Sequence, residues 1–237
     1  MKTSKQTESK RFTRDQVRSI IESTELRAES CASLYRFDPD EFVRETKVKF
    51  IIVDHPAGQA EMGAAQIFLI NGDLARYQYD WNLFYVFDVH SQDLCDIYEA
   101  FFTDDDEWID EVRDCGICNY NILYIDYIYL KPEYRGYGIG RIIAKGLVEE
   151  FAKWGEIVVT RPVPAELVEE DGAQIIACQP EDETVTPKLA AMCKSLGFIR
   201  LDRTNIFFLP LTAEYPTVSD LLKKMFPEHK KRVKGRS

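Results

Sequence analysis

No apolar run in this sequence approaches the roughly 20 residues that a membrane-spanning helix needs, and Met1 to Gln16 is charged where a secretory leader would be apolar. The sequence therefore reads as a soluble, cytoplasmic protein. Histidine is scarce: only His55, His90 and His229 occur in 237 residues. None stands at ligand spacing to Cys115 and Cys118, and no second Cys-x-x-Cys completes a zinc site, so no metal centre is expected. His90 beside Ser91 has no readable acid and nucleophile around it and reads as a histidine at a helix start. The six cysteines are expected as free thiols, because a chain of this size buries a core without staples. No internal repeat and no linker rich in Pro, Gly or Ser divides the chain.

Charge is unevenly placed. The net charge is −10, yet residues 1–18 carry +4 and residues 223–237 carry +6, which leaves about −20 on the body between them. Such a body repels nucleic-acid backbones and argues against a nucleic-acid partner. The segmentation that follows is a basic N-terminal tail over 1–18, a domain over 19–215, and a C-terminal helix with a basic tail over 216–237. Seven acids, Asp104, Asp105, Asp106, Glu107, Asp110, Glu111 and Asp114, crowd one short stretch and read as a solvated helix start or as an attractor for a cationic acceptor.

Periodicity gives the elements. Thr13 caps a predicted helix through Leu34, with Val17, Ile20, Ile21 and Leu26 near helical spacing. Lys47 to Val53, Ala64 to Ile70 and Leu83 to Val89 read as strands, with Asn71-Gly72 as a tight-turn signal. Ser91 caps a helix that buries Leu94, Ile97, Tyr98 and Phe101. From Tyr120 onward strands alternate with helices, and the whole reads as α+β, a mixed and mostly antiparallel sheet flanked by helices. Residues 162–186, acidic and irregular, read as a loop insertion over the site.

The most informative stretch is Tyr124 to Trp154, an apolar strand that runs through a glycine-rich turn into a helix. Unpaired amides and the dipole at a helix N-terminus favour an anion, and glycine lets the backbone approach it closely. The turn at Gly136, Gly138 and Gly140 lacks the Lys-Ser/Thr of a P-loop. The dinucleotide fingerprint fails as well, since Arg141 or Ile143 falls at its third glycine.

What remains is Arg135-Gly136-Tyr137-Gly138-Ile139-Gly140, with Leu130 ending a strand five positions upstream. This resembles the coenzyme A signature of the GCN5-related N-acetyltransferases (GNAT), Gln/Arg-x-x-Gly-x-Gly/Ala. The resemblance runs in order from Tyr120 to Leu209. It takes in the helix to Trp154 with Gly155 as its stop, the run Ile157 to Thr160, a helix from Thr186-Pro187 to Ser195, and a strand pair opened by Gly197-Phe198. Thr160-Arg161-Pro162-Val163-Pro164 is similar to a largely uncharacterised bacterial branch with Pro-x-Pro after this strand.

The resemblance implies an acyltransferase that moves acetyl from acetyl-CoA, its co-substrate, to a primary amine; a coenzyme-binding or regulatory module without turnover is the alternative. The backbone of Ile128 and Leu130 would bond the pantetheine arm. The amides from Arg135 through Arg141, by way of Gly136, Tyr137, Gly138, Ile139 and Gly140, would hold the pyrophosphate. Tyr124, six residues before Leu130, and Asp126, on the same strand face by period two, are the candidate bases. Cys193 stands where many relatives carry a proton-donating tyrosine, and Thr186 where many carry asparagine. Cys193 reads either as the inherited donor or, preferably, as a small buried hydrophobe. The acidic body suits a cationic acceptor, while acceptor identity and oligomeric state stay open.

Overall fold

Thr13 starts the first helix, its hydroxyl accepting from the Gln16 amide at 3.3 Å while the Gln16 side chain accepts from the Thr13 amide at 2.8 Å. The computed structural model describes residues 11–30, 38–170, 173–178 and 186–227, and carries this helix, α1, over Arg14–Glu22. The longer helix expected to Leu34 is corrected. The hydroxyls of Ser23 and Thr24 return to the Ser19 and Ile20 carbonyls and close the helix, and Thr24–Ser30 becomes strand β1. Residues 31–34 lie outside the described residues. Val17 is buried, so the expected tail over 1–18 contains part of the packed domain.

Strands β2 (Val43–Ile52) and β3 (Ala60–Asn71) extend the two runs seen in the sequence. Asn71-Gly72 makes no hairpin. The Asn71 side chain accepts from the Leu74 amide at 3.2 Å and leads into a π-helical turn, Leu74–Gln78. The expected strand over Leu83 to Val89 is helix α2, Leu83–Asp88. Leu83, Val86 and Phe87 share its buried face at helical spacing. A remote carboxylate, Asp106, accepts from the Leu83 amide at 3.1 Å and starts it. Helix α3, Gln92–Phe101, is capped by Ser91 and buries Leu94, Ile97, Tyr98 and Phe101 as expected. Helix α4, Asp110–Arg113, follows. Not all of the acidic run is solvated: Asp106 is buried and accepts from the Tyr98 hydroxyl at 2.6 Å, and Glu107 accepts from Arg76 and the Tyr120 hydroxyl.

The second half holds β4 (Asn121–Leu130), α5 (Ile139–Phe151, extended by a 3-10 turn to Trp154) and β5 (Ile157–Thr160). Residues 162–186 are not all loop. Strands β6 (Ala165–Glu170) and β7 (Ala173–Cys178) pair as a separate hairpin. Helix α6 (Thr186–Ser195), β8 (Ile199–Arg200), β9 (Phe207–Pro210) and α7 (Val218–Met225) complete the described chain.

Among the described residues seven strands form one sheet in the order β1-β2-β3-β4-β5-β9-β8, antiparallel except for β4 against β5. Side chains alternate across it. Leu123, Ile125, Val158, Phe207 and Leu209 join the core that contains α5. Ile122, Tyr124, Ile157, Val159 and Phe208 join the core of α2 and α3. The sheet is thus sandwiched by helices, and its one parallel pair, β4 with β5, is joined through the glycine turn and α5.

Candidate active site

Strands β4 and β5 pair only over Ile122 to Ile125 and Ile157 to Thr160, and then part. The Thr160 hydroxyl donates to the Ile125 carbonyl at 2.9 Å at the last shared step. Pro162 and Pro164 follow and remove backbone donors from the continuing chain. Beyond this point β4 keeps β3 on one side, and no strand of the sheet pairs with its other edge among the described residues.

At the same point β4 is bulged. Ile125 faces Ile67 and Tyr127 faces Gln66, so Asp126 is the extra residue. A bulge reverses the facing of everything after it. Tyr124 therefore belongs to the core of α2 and α3, whereas Ile128 and Leu130, of the same parity, pack on the α5 side. The period-two argument that puts Tyr124 and Asp126 on one face holds up to the bulge, and the Tyr124 hydroxyl stands 3.4 Å from Asp126 Oδ1.

Burial, and after it the charge of Asp93, pushes the Asp126 carboxyl up to about 6, against the opposing pull of the Tyr124 hydroxyl and Arg161. Tyr124 is 2% exposed and lies flat against Phe68, with ring centroids 6.0 Å apart. Burial, then Asp126, raises its phenol well above the usual range. Arg161, directly after β5, reaches Asp93 at 3.3 Å and Asp96 at 2.9 Å on α3. It also borders a cavity of about 460 Å³ lined by Asp96, Glu99, Arg203, Thr204 and Asn205 among others. Asp126 thus feels the charges of Asp93 and Arg161, the arginine itself held between two carboxylates. Asp93, Asp96 and Arg161 were not singled out from the sequence, because the arginine lies 65 residues and more beyond its partners.

The glycine turn takes the shape that its composition suggests. Gly136 and Gly138 are left-handed, with φ of 83° and 80°. The Arg141 amide donates to the Gly138 carbonyl at 3.2 Å, so the amides ahead of it point out of the start of α5. Ile139 is buried and seats the helix start in the core, and Gly140 lies over Leu130. Arg141 Nε is buried without a hydrogen-bond partner. Left-handed glycines, outward amides and a guanidinium nitrogen in need of an acceptor suit a phosphate group.

The Arg135 side chain at the start of this turn is engaged by protein groups. Its Nε donates to the Leu130 carbonyl at 2.7 Å, and its two terminal nitrogens reach the Glu166 carboxylate on β6 at 2.6 and 3.1 Å. Tyr137 turns to the N-terminal segment, where its hydroxyl accepts from the Phe12 amide at 3.0 Å.

Cys193 lies on α6, 4% exposed, within the core on the α5 side, and burial pushes its thiol up to about 12. Tyr124 belongs to the opposite core. Cys115 and Cys118 sit in a turn, and no group of three or more His, Cys, Asp or Glu is arranged to hold a metal ion among the described residues. His90 packs edge-on against Phe68 with centroids 5.1 Å apart, and its Nε2 is buried without a partner. His229 lies outside the described residues. No described helix is long and apolar enough to cross a membrane.

Residues 77–162, which run from before α2 to the end of β5 and include the whole β4, turn and α5 unit, match the acetyltransferase (GNAT) family. No curated protein and no solved structure matches the chain. The mixed, mostly antiparallel sheet, whose single parallel pair parts beside a glycine turn, is consistent with the acyltransferase fold of the family that this segment matches.

Proposed function

We propose that the protein transfers an acetyl group from acetyl-CoA to the primary amine of a cationic acceptor, with Asp126 as the general base. The observation that carries this reading is the position of Asp126: an extra residue at a bulge, where β4 and β5 part, with its carboxyl raised to about 6. A base of that strength is ionised at neutral pH and still near enough to the working pH to exchange a proton.

The family's co-substrate supplies a thioester. On this reading, the amides of Gly136 to Arg141 and the Arg141 guanidinium hold its diphosphate, and the free edge of β4 around Ile128 and Leu130 receives the pantetheine arm as an added strand would lie. The acceptor enters as an ammonium ion drawn by Asp93, Asp96 and Asp126, and Asp126 takes one proton from it, so that a neutral amine attacks the acyl carbon. Tyr124 holds the carboxylate through its hydroxyl. Cys193, buried in the core opposite Tyr124, donates nothing; as the coenzyme leaves, the acylated nitrogen gives its second proton to solvent and the departing thiolate takes a proton from solvent. The acetylated amine is neutral and loses its attraction to the cleft, which favours release.

Incubation with acetyl-CoA and a panel of mono-, di- and polyamines, with free thiol as the readout, tests this. Asp126→Asn is expected to lower turnover by about 100-fold or more with unchanged coenzyme affinity, and Tyr124→Phe by about tenfold. Tight coenzyme binding with no thiol release on any amine would favour the alternative, a coenzyme-binding module without turnover. Full turnover in the Asp126→Asn protein would place the base elsewhere.

A further inference from the structure

Arg161 connects two places. It follows directly on Thr160, whose partner on β4 is Ile125, so its backbone stands beside that of Asp126 at the step where the two strands part. Its guanidinium crosses to α3, where it holds Asp93 and Asp96, and it lines the cavity of about 460 Å³ between α3 and the β8-β9 turn. A cavity of that size takes a small molecule.

Helix α3 measures how far the cavity lies from the base proposed above. Asp93, whose charge acts on Asp126, Asp96, which binds Arg161, and Glu99, which lines the cavity, follow one another at intervals of three residues. Residues so spaced are neighbours on one helix face. At a rise of 1.5 Å per residue, the path from Asp93 to Glu99 is about 9 Å long. That is the length of a short extended aliphatic chain.

Both signs of charge line the cavity, and most of this charge is already matched. Asp96 accepts from Arg161 and from Gln92, and Arg203 stands 3.4 Å from Asp202. The Thr204 hydroxyl donates to the Leu201 carbonyl and accepts from the Ile206 amide. Asn205 is engaged within the protein as well. Glu99 forms no hydrogen bond or ion pair among the described residues, so its carboxylate is the uncompensated charge of the cavity. Ala100 and Ile206 give the same cavity apolar lining. A lone carboxylate next to apolar surface suits an ammonium group on a methylene stem.

We infer that the acceptor is a linear diamine or polyamine: one amine reacts at Asp126, while a second ammonium sits in the cavity against Glu99, its methylene chain along Ala100 and Ile206. This inference rests on the acetyl-transfer reading above and names its acceptor class. Glu99 selects the acceptor and takes no part in the proton transfer. Acetylation neutralises the reacting amine and leaves the other charged, so the product keeps one of the two attractions that held the substrate.

The experiment is steady-state acetylation of linear diamines of increasing length, each set beside the amino alcohol of the same length, with free thiol as the readout. The parent protein is expected to favour the diamine by about tenfold or more, chiefly through a lower KM. The preference is expected to be largest where the two amines stand about 9 Å apart and to decline as salt rises. Glu99→Gln is expected to reduce it to the factor of about two that a pair of equivalent amines supplies, while KM for the amino alcohols moves by less than about twofold. Glu99→Lys, which puts a cation in the cavity, is expected to make the diamine a poorer substrate than the amino alcohol. Equal KM for diamine and amino alcohol in the parent, or an undiminished diamine preference in the Glu99→Gln protein, would overturn the inference while leaving acetyl transfer in place. Thiol release on no amine at all would overturn both.

Discussion

Arg135 and Glu166 form a two-pronged ion pair, at 2.6 and 3.1 Å, between the glycine turn and the β6-β7 hairpin. The pair is partly exposed, and pairs of this kind contribute only about 0.2–1 kcal/mol. Its consequence is one of position. The guanidinium that opens the motif also holds the Leu130 carbonyl at the end of β4, so it fixes the strand end, the turn and the hairpin relative to one another.

Replacing Arg135 and replacing Gly138 should therefore differ sharply. Arg135→Ala is expected to weaken coenzyme binding by less than about fivefold, because a single partly screened charge is lost. Gly138→Val forces a branched side chain into a left-handed backbone at about 1–2 kcal/mol and drives its Cβ against Met225. Coenzyme affinity is expected to fall by more than about tenfold, close to 1.4 kcal/mol. Calorimetry on both proteins, with folding checked by thermal melting, decides between them; unchanged affinity in a folded Gly138→Val protein would remove the turn from the coenzyme site.

Asp126 should leave two separate marks on pH profiles. Turnover is expected to rise with pH through about 6 and then level, since the carboxylate must be free to take a proton. Stability runs the other way. The folded pKa of about 6 lies above the unfolded value near 3.9, so the folded chain holds the proton more tightly and loses stability as pH rises from about 4 through 6. Asp126→Asn is expected to be more stable than the parent at pH 7, by about 2–3 kcal/mol, and equal to it near pH 4. Urea melts across this range check the sign.

Cys193→Ala is expected to leave acetyl transfer unchanged and to cost about 1 kcal/mol of stability, as the loss of a small buried hydrophobe does. Cys193→Tyr is expected to destabilise, because a 4% exposed position in a packed core has no room for a phenol ring. A tenfold fall in turnover for the alanine protein, with coenzyme binding intact, would restore the proton-donor role.

Lys145 is the least expected side chain in the core. It is 1% exposed on α5, its Nζ has no hydrogen-bond partner, and the ammonium lies 3.5 Å from the centre of the Tyr215 ring. Burial pulls its pKa down to about 8, against a smaller upward pull from Glu149. The folded value lies below the unfolded one near 10.4, so the unfolded chain binds the proton more tightly and stability rises with pH between about 8 and 10. Lys145→Met is expected to abolish that rise and to add about 1–2 kcal/mol at pH 7, where the buried charge costs more than the ring returns. Melting temperatures at pH 7, 8.5 and 10 measure both.

The parts of the fold that were legible are those written in neighbouring residues. Ser91 and its stripe, the glycines before α5, the Gly155 stop and the β5 run are local signals, and each element stands where they put it. What escaped is held by distant partners. Helix α2 looks like a strand until Asp106 supplies its cap, β1 looks like more helix until β2 lies beside it, and the hairpin over Ala165 to Cys178 looks like loop because its charged alternation is weak. In the candidate site the sequence could place Tyr124 and Asp126 together. It could not show the bulge, which depends on how β3 is laid against β4, or the Asp93, Asp96 and Arg161 cluster, which depends on α3 crossing the end of β5.

The gap between β4 and β5 has a cost that lies outside chemistry. A bare strand edge in the middle of a sheet is a template on which another chain can add itself, and proteins ordinarily blunt such edges. Here the hairpin strand β6 contacts β4, and its Glu166 is bound to Arg135 just beyond the end of that strand. On the reading proposed above, a chain deprived of the hairpin would expose an aggregation-prone edge where the extended arm of the coenzyme would lie.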